Sequence, residues 1–405
     1  MSTNIPLAGW TRALTRSALQ DMLVASTQPG LLSFALGLPA AELFPTEDFA
    51  SAVARVLATD PRALQYGPPL RPLKRQVVEL MALRGVACRE EQVFLTTGAQ
   101  QGINLLVRLL LDPGGAVLLE ERTYTGFQQV LQPHQPQLIP VPTDLEDGMD
   151  IWAVEQALRS GPRPALLYAV TDGHNPLGVS MSLEGRERLA ALAGRYGFPI
   201  IEDDPYGFLC YEPAPLPPLR AFEERWVFYV GTFSKILAPA VRTGWLVVPE
   251  EIVPLLANLK EASDIDMAPL SQRAVSSYLD AGVLPAHLIV LRDEYRQRRD
   301  AMLDALERHF PTEARWHKPS SGLFIWVGVP DGIDLRRLWR EAIELERVAF
   351  IPGQAFDVVS NQSAGNGLRL NFSNSTTSQI EDGIARLGRM LKRHLSSASA
   401  LPTKA

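Results

Sequence analysis

Between residues 92 and 248, short apolar runs alternate with longer amphipathic stretches. The runs at 92–96, 116–119, 137–141, 165–170, 199–202, 227–230 and 245–248 are largely apolar rather than apolar at every second position. Strands covered on both faces have that pattern, whereas a strand with one wet face alternates. The stretches at 99–111, 125–131, 151–159 and 183–196 carry their apolar residues at helical spacing. This βαβα order predicts a mostly parallel sheet with helices on both faces and functional groups at the carboxyl ends of its strands.

The flanks have a different pattern. An amphipathic helix is predicted over 16–25, an extended segment entering a turn over 31–39, and helices over 47–58 and 70–84 on either side of the Tyr66-Gly67-Pro68-Pro69 loop. After Pro249 the pattern is helical at 252–262, 270–281 and 286–310. Strands near 314–317, 323–327 and 367–371 then interleave with helices at 335–346 and 377–395, an α+β order. The expected organisation is an N-terminal segment (1–45) joined to a small α+β domain (286–395), a large domain (46–285), and a frayed polar tail (396–405).

Composition narrows the function. The chain has 405 residues, 46% hydrophobic and 21% charged, as in ordinary globular proteins. A net charge of −6 with scattered basic residues gives no field for nucleic acid. Cys88 and Cys210, far apart, indicate neither a disulfide framework nor a zinc site, and no metal is expected. The first ten residues lack a secretory pattern, and no apolar run approaches the roughly 20 residues of a membrane span. A cytoplasmic enzyme or binding protein is expected.

The richest stretch for chemistry is Gly231-Thr232-Phe233-Ser234-Lys235-Ile236-Leu237-Ala238-Pro239-Ala240-Val241-Arg242-Thr243-Gly244-Trp245. A lysine between Phe233, Ile236 and Leu237 loses hydration, which lowers its pKa and suits a Schiff-base amine. Thr232, Ser234 and Arg242 would suit a phosphate beside it. A surface-loop lysine followed by an ordinary arginine is the bland alternative. Thr97-Gly98-Ala99-Gln100-Gln101-Gly102 joins a strand to a helix, a junction that aims unpaired N–H groups at an anion but is also a common tight turn. Tyr124 follows a buried strand, His174-Asn175-Pro176-Leu177-Gly178 is turn-like, and Arg369 lies on a strand between apolar neighbours. Glu202-Asp203-Asp204-Pro205-Tyr206 ends another strand, where carboxylates could hold a metal or form a solvated rim.

Taken together, these motifs closely resemble the fold-type I pyridoxal-phosphate (PLP) aminotransferases over about residues 17–395. The nearest kinds are the 2-aminoadipate and aromatic aminotransferases and the catalytic-like domain of MocR-type regulators. The stretch before Phe34 is too short for the regulators' winged helix, so a regulator is not expected. The resemblance implies an α/β fold, with a mostly parallel seven-stranded sheet in a large PLP-binding domain and a smaller α+β domain. It implies that Lys235 carries PLP, Asp203 pairs with the pyridine nitrogen, and Tyr206 and Asn175 bond the phenolic oxygen. Tyr124 would stack on the ring, while Gly98, Ala99, Gln100, Thr232, Ser234 and Arg242 cup the phosphate. Arg369 would clamp the substrate carboxylate, with Leu36, Gly37 and Gln20 at the substrate side. In such a homodimer Tyr66 reaches the partner's phosphate.

Three departures stand out. Leu36 replaces the first glycine of a usual Gly-Gly-Leu-Pro and is expected to reshape the pocket, with His174 as a substrate-side neighbour at most. The loop after Tyr66 is about two residues short. Gln20 stands where aminoadipate-type relatives offer an arginine, which argues against an acidic substrate. The implied activity is ping-pong transfer of an amino group between an L-amino acid and a 2-oxo acid. Elimination, replacement, cyclisation or oxidation on the same scaffold is the alternative, and a non-catalytic sensor is less favoured.

Overall fold

The computed structural model describes residues 5–14, 24, 28–212, 214–330, 332–359 and 366–399. Its centre is a seven-stranded sheet of β1 (Val93–Thr96), β2 (Ala116–Glu120), β3 (Gln137–Val141), β4 (Leu166–Ala169), β5 (Ile200–Asp204), β6 (Val227–Thr232) and β7 (Gly244–Val247), in the order β1-β7-β6-β5-β4-β2-β3. Neighbours from β3 to β6 run parallel, and β7 alone runs antiparallel, between β1 and β6. β2, β4, β5, β6 and β7 are buried at every position, which is why their sequences do not alternate. Apolar clusters fill both faces. One gathers Ile103, Phe127, Tyr168 and Leu246, and the other Leu118, Val154, Leu189 and Phe198.

A second, antiparallel sheet contains β8 (Arg315–Trp316), β9 (Phe324–Val329), β10 (Ile351–Pro352) and β11 (Asn366–Asn371), in the order β8-β9-β11-β10. β10 is a two-residue strand that is not among those expected from the sequence. Its proline and its edge position leave no strand pattern in the sequence. The segment after residue 31 joins this side of the molecule. Leu32–Ser33 pairs in parallel with Val348–Ala349, and Asn371 N–H donates to Phe34 O at 2.8 Å.

Other boundaries shift slightly. The helix expected over 335–346 is α-helical for Leu335–Glu341 and widens to a π turn over Ala342–Glu346, ending at left-handed Arg347. The last helix, Thr377–Ser399, runs four residues into the expected tail and packs against Leu284–His309. The helix expected over 16–25 lies outside the described residues except Val24. No single described helix is long and apolar enough to cross a membrane.

Buried charge ties together the edge of the sheet where the strands end. Arg84 Nη2 donates to Asp172 Oδ2 at 2.8 Å and to Asp204 Oδ2 at 3.3 Å. Arg186 Nη2 donates to Asp172 Oδ1 at 2.7 Å, and Tyr229 Oη to Asp204 Oδ2 at 2.9 Å. Burial raises the pKa of Asp172, but Arg186 and Arg84 outweigh it and hold the carboxyl below its ordinary range. Replacing Arg84 by alanine leaves two carboxylates buried and undercompensated. We expect Arg84→Ala to cost about 3–5 kcal/mol in guanidinium unfolding. A loss below about 1 kcal/mol would show that the network does not hold this edge together.

Candidate active site

A cavity of about 480 Å³ opens at the carboxyl ends of the central strands. The connection from β6 to β7 brings the lysine to it. Phe233 N–H donates to Thr243 O at 3.0 Å, and the Phe233 ring packs on Trp245 with centroids 5.0 Å apart. Phe233, Ile236 and Leu237 are buried in the core, so Lys235 is left to project into the cavity. Its Nζ donates to Gly37 O at 3.0 Å. Burial lowers the amine's pKa to about 8, helped by Arg242 and Arg369 and opposed by Asp203.

Asp203, at the end of β5, lines the same cavity. Its strand neighbours face away. Glu202 accepts from Thr171 Oγ1 at 2.9 Å and from the backbone N–H of Leu219 and Arg220, while Asp204 belongs to the Arg84 network. The three carboxylates therefore do not converge, and among the described residues no acidic, His or Cys group could hold a metal ion. Asp203 Oδ2 accepts from Tyr168 Oη at 2.7 Å, and Oδ1 has no partner. Burial raises the Asp203 pKa to about 7, with the Tyr168 hydrogen bond opposing. Tyr206, three residues on, lines the cavity with its ring edge-on to Phe324, and burial pushes its phenol up.

One end of the cavity is built for an anion. Gly98 begins the helix Ala99–Leu110 at φ 77°, and a Cβ there would lie 2.4 Å from Arg242 Nη2. Glycine thus lets the guanidinium lie over the helix N-terminus, where Arg242, itself left-handed at φ 51°, donates to Thr97 O at 3.1 Å. Thr232 Oγ1 donates to Ser234 Oγ at 2.9 Å beside it. Tyr124 Oη donates to Gln100 Oε1 at 3.3 Å, and Gln100 Nε2 to Gly126 O at 2.8 Å.

The other end holds Arg369. On β11 it is flanked by Trp326 and Ile351, and its guanidinium lies between the rings of Phe324 (4.3 Å) and Phe356 (4.7 Å). It donates to Asn175 Oδ1 at 2.6 Å and Ala35 O at 2.5 Å, while Nε has no partner. No described carboxylate pairs with it, and burial lowers its pKa to about 10. It is a desolvated cation suited to a carboxylate.

Most residues singled out from the sequence line this one cavity: Lys235, Asp203, Tyr206, Asn175, Tyr124, Ala99, Gln100, Thr232, Ser234, Arg242, Arg369 and Gly37. Gly98 lies just behind Arg242. Leu36 does not line the cavity, because Gly37 is the residue of that segment that faces it. His174 is not a substrate-side neighbour. It is fully buried, with Nε2 2.8 Å from Glu120 Oε2. Tyr66 is 83% exposed and outside its own chain's cavity, and Gln20 lies outside the described residues. Sequence reasoning missed Tyr168, Phe324 and Phe356. Only Tyr168 left a signal, as a polar-tipped residue in an otherwise apolar run.

An amine near neutrality, an unpaired carboxylate oxygen in the same cavity, an anion cup and a second arginine fit a flat, phosphorylated heteroaromatic aldehyde and an acidic substrate group. The model of the aminotransferase class I and II family matches residues 34–387. The chain is 37% identical to the 2-aminoadipate transaminase of Thermus thermophilus, over 93% of this chain and 94% of that one. It is 34% identical to the aromatic-amino-acid aminotransferase 1 of Thermococcus litoralis, over 94% and 92% of the two chains. The Pyrococcus horikoshii kynurenine aminotransferase, solved with PMP, superposes with a TM-score of 0.90 at 34% identity, covering 96% of this chain and 97% of that one. The cavity and these relatives lead to one conclusion: the chain belongs to the class I and II aminotransferases, PLP-dependent enzymes of fold type I.

Proposed function

We propose that this enzyme moves the amino group of an L-amino acid to a 2-oxo acid at the cavity bounded by Lys235, Asp203 and Arg369. The observation that carries this reading is that the Lys235 amine and the Asp203 carboxylate border one cavity, Asp203 with an unpaired oxygen. Its aminotransferase relatives favour amino transfer over elimination, cyclisation or oxidation. Residues 46–285 form the cofactor-binding body, and residues 286–395 with the N-terminal segment form the smaller one. A second copy of the chain completes the enzyme as a homodimer, with Tyr66 reaching the partner's site.

In this reading Arg242, Thr232, Ser234 and the N–H groups of Ala99 and Gln100 hold the phosphate of PLP. Tyr124 covers the ring, Asp203 takes the ring nitrogen, and Tyr206 and Asn175 take the phenolic oxygen. When bound, PLP supplies an aldehyde carbon that takes up the amino group and an electron sink for the electrons left at Cα. The chain supplies everything else. Arg369 takes the substrate carboxylate in its planar fork, geometry a lysine cannot reproduce. That contact fixes the substrate so that its Cα–H faces Lys235. The lysine Nζ, already poised near 8, takes the Cα proton as general base and returns it later as general acid. Tyr206 and the buried walls limit water. The two substrates use one cavity in turn, so the kinetics are ping-pong.

Lys235→Ala should lose the visible absorbance of bound cofactor together with turnover; a variant that keeps both sinks the assignment. Lys235 in the cofactor-free protein reacts only when deprotonated. The rate at which added PLP develops colour should therefore rise with pH through about 8 and level off above it. A rise that continues toward an ordinary lysine's pKa of about 10.4 contradicts the burial argument. Arg369→Lys keeps the charge but loses the fork, and we expect KM for the amino donor to rise about tenfold to a hundredfold. Steady-state kinetics with an unchanged KM would remove Arg369 from substrate binding.

A further inference from the structure

We propose that Tyr168 is a positioning residue for the cofactor: its hydroxyl anchors one oxygen of Asp203 so that the other is held toward the ring nitrogen. The inference rests on the proposed pairing of Asp203 with that nitrogen. Tyr168 is directly opposite Ile201 in the β4–β5 register, so Asp203, two residues further along, shares its face of the sheet within reach of a long side chain. The hydroxyl donates to Asp203 Oδ2 at 2.7 Å, and among the described residues it is the only hydrogen-bond donor to that carboxylate.

The surroundings fix the donor in place. Tyr168 is fully buried, and its ring stacks on Phe127 with centroids 3.8 Å apart and planes 8° from parallel. Phe127 N–H in turn donates to Tyr124 O at 3.0 Å, on the turn that carries the aromatic proposed to cover the cofactor. The position of the carboxylate is thus keyed to the position of Tyr124. Burial and the adjacent Asp203 push the Tyr168 phenol well above its ordinary value, so it remains a donor across the working pH range.

Without this hydroxyl, both oxygens of a buried carboxylate lack a protein partner. The charged groups around it are Asp204 on its own strand and Lys235 from the β6–β7 connection, with the phenols of Tyr124 and Tyr206 nearby. Burial and Asp204 both favour moving a proton onto Asp203, and a neutral acid no longer holds a protonated ring nitrogen. A tyrosine that merely fills the core would do none of this, because phenylalanine fills the same space.

The test uses the PLP-loaded enzyme and its Tyr168→Phe variant. Loss of one hydrogen bond to a charged group should lower kcat about tenfold and raise the cofactor dissociation constant, measured by equilibrium dialysis, by a similar factor. KM for the amino donor should stay within about twofold, and the pH midpoint of the visible absorbance change should move. A variant with kcat, cofactor affinity and midpoint all unchanged overturns the inference. The same substitution made in an Asp203→Ala background should add almost nothing to the loss of cofactor affinity. A further loss of about tenfold there would show that Tyr168 acts through packing and would also overturn it. If Asp203→Ala alone leaves cofactor affinity intact, the pairing of Asp203 with the ring nitrogen is itself wrong.

Discussion

Strand alternation divides the three consecutive carboxylates at the end of β5 between two environments. Glu202 and Asp204 face the side where Thr171, the Leu219–Arg220 amides, Tyr229 and Arg84 neutralise them. Asp203 faces the cavity with one hydrogen bond and one open oxygen. The well-partnered pair makes the strand end rigid, and that rigidity allows the middle carboxylate to remain incompletely paired. The same logic applies to Lys235, whose neighbours Phe233, Ile236 and Leu237 are locked in the core while its amine faces the cavity.

Much of this could be read from the sequence because the chemistry follows the topology. Seven apolar runs became seven strands, and every motif at the end of β1, β4, β5 or β6 reached the cavity. What could not be read depended on contacts between distant segments. Arg369 was visible as a strand arginine, but nothing in its neighbourhood announces that Phe324 and Phe356 enclose its guanidinium. His174, next to Asn175 in sequence, turned inward because Glu120 at the end of β2 offers it a buried carboxylate. Leu36 could not be distinguished from Gly37 without knowing how the N-terminal strip is rotated against β11.

The two sheets meet where the site lies, and their closeness depends on positions without side chains. Gly173 and Gly322, both at positive φ, approach so closely that a Cβ on Gly173 would lie 2.6 Å from the Gly322 Cα. A Cβ on Gly178 would lie 2.4 Å from Phe324 O. The loop that carries Asn175 is therefore pressed against the strand that carries Phe324, and Arg369 bonds Asn175 across that junction. The Asn175 loop and β11 are joined through this contact.

The acceptor for the lysine amine has a consequence of its own. Gly37 offers a main-chain carbonyl, so no exchange of side chains elsewhere can remove that resting place; only rerouting the strip that bears it could. The route is narrow, since a methyl group at Gly37 would meet the Phe324 ring at 2.8 Å. The strip is also fastened to β11 through Phe34 and Ala35, the latter gripped by Arg369. The Lys235 amine and the Arg369 guanidinium thus grip one short piece of backbone from opposite ends.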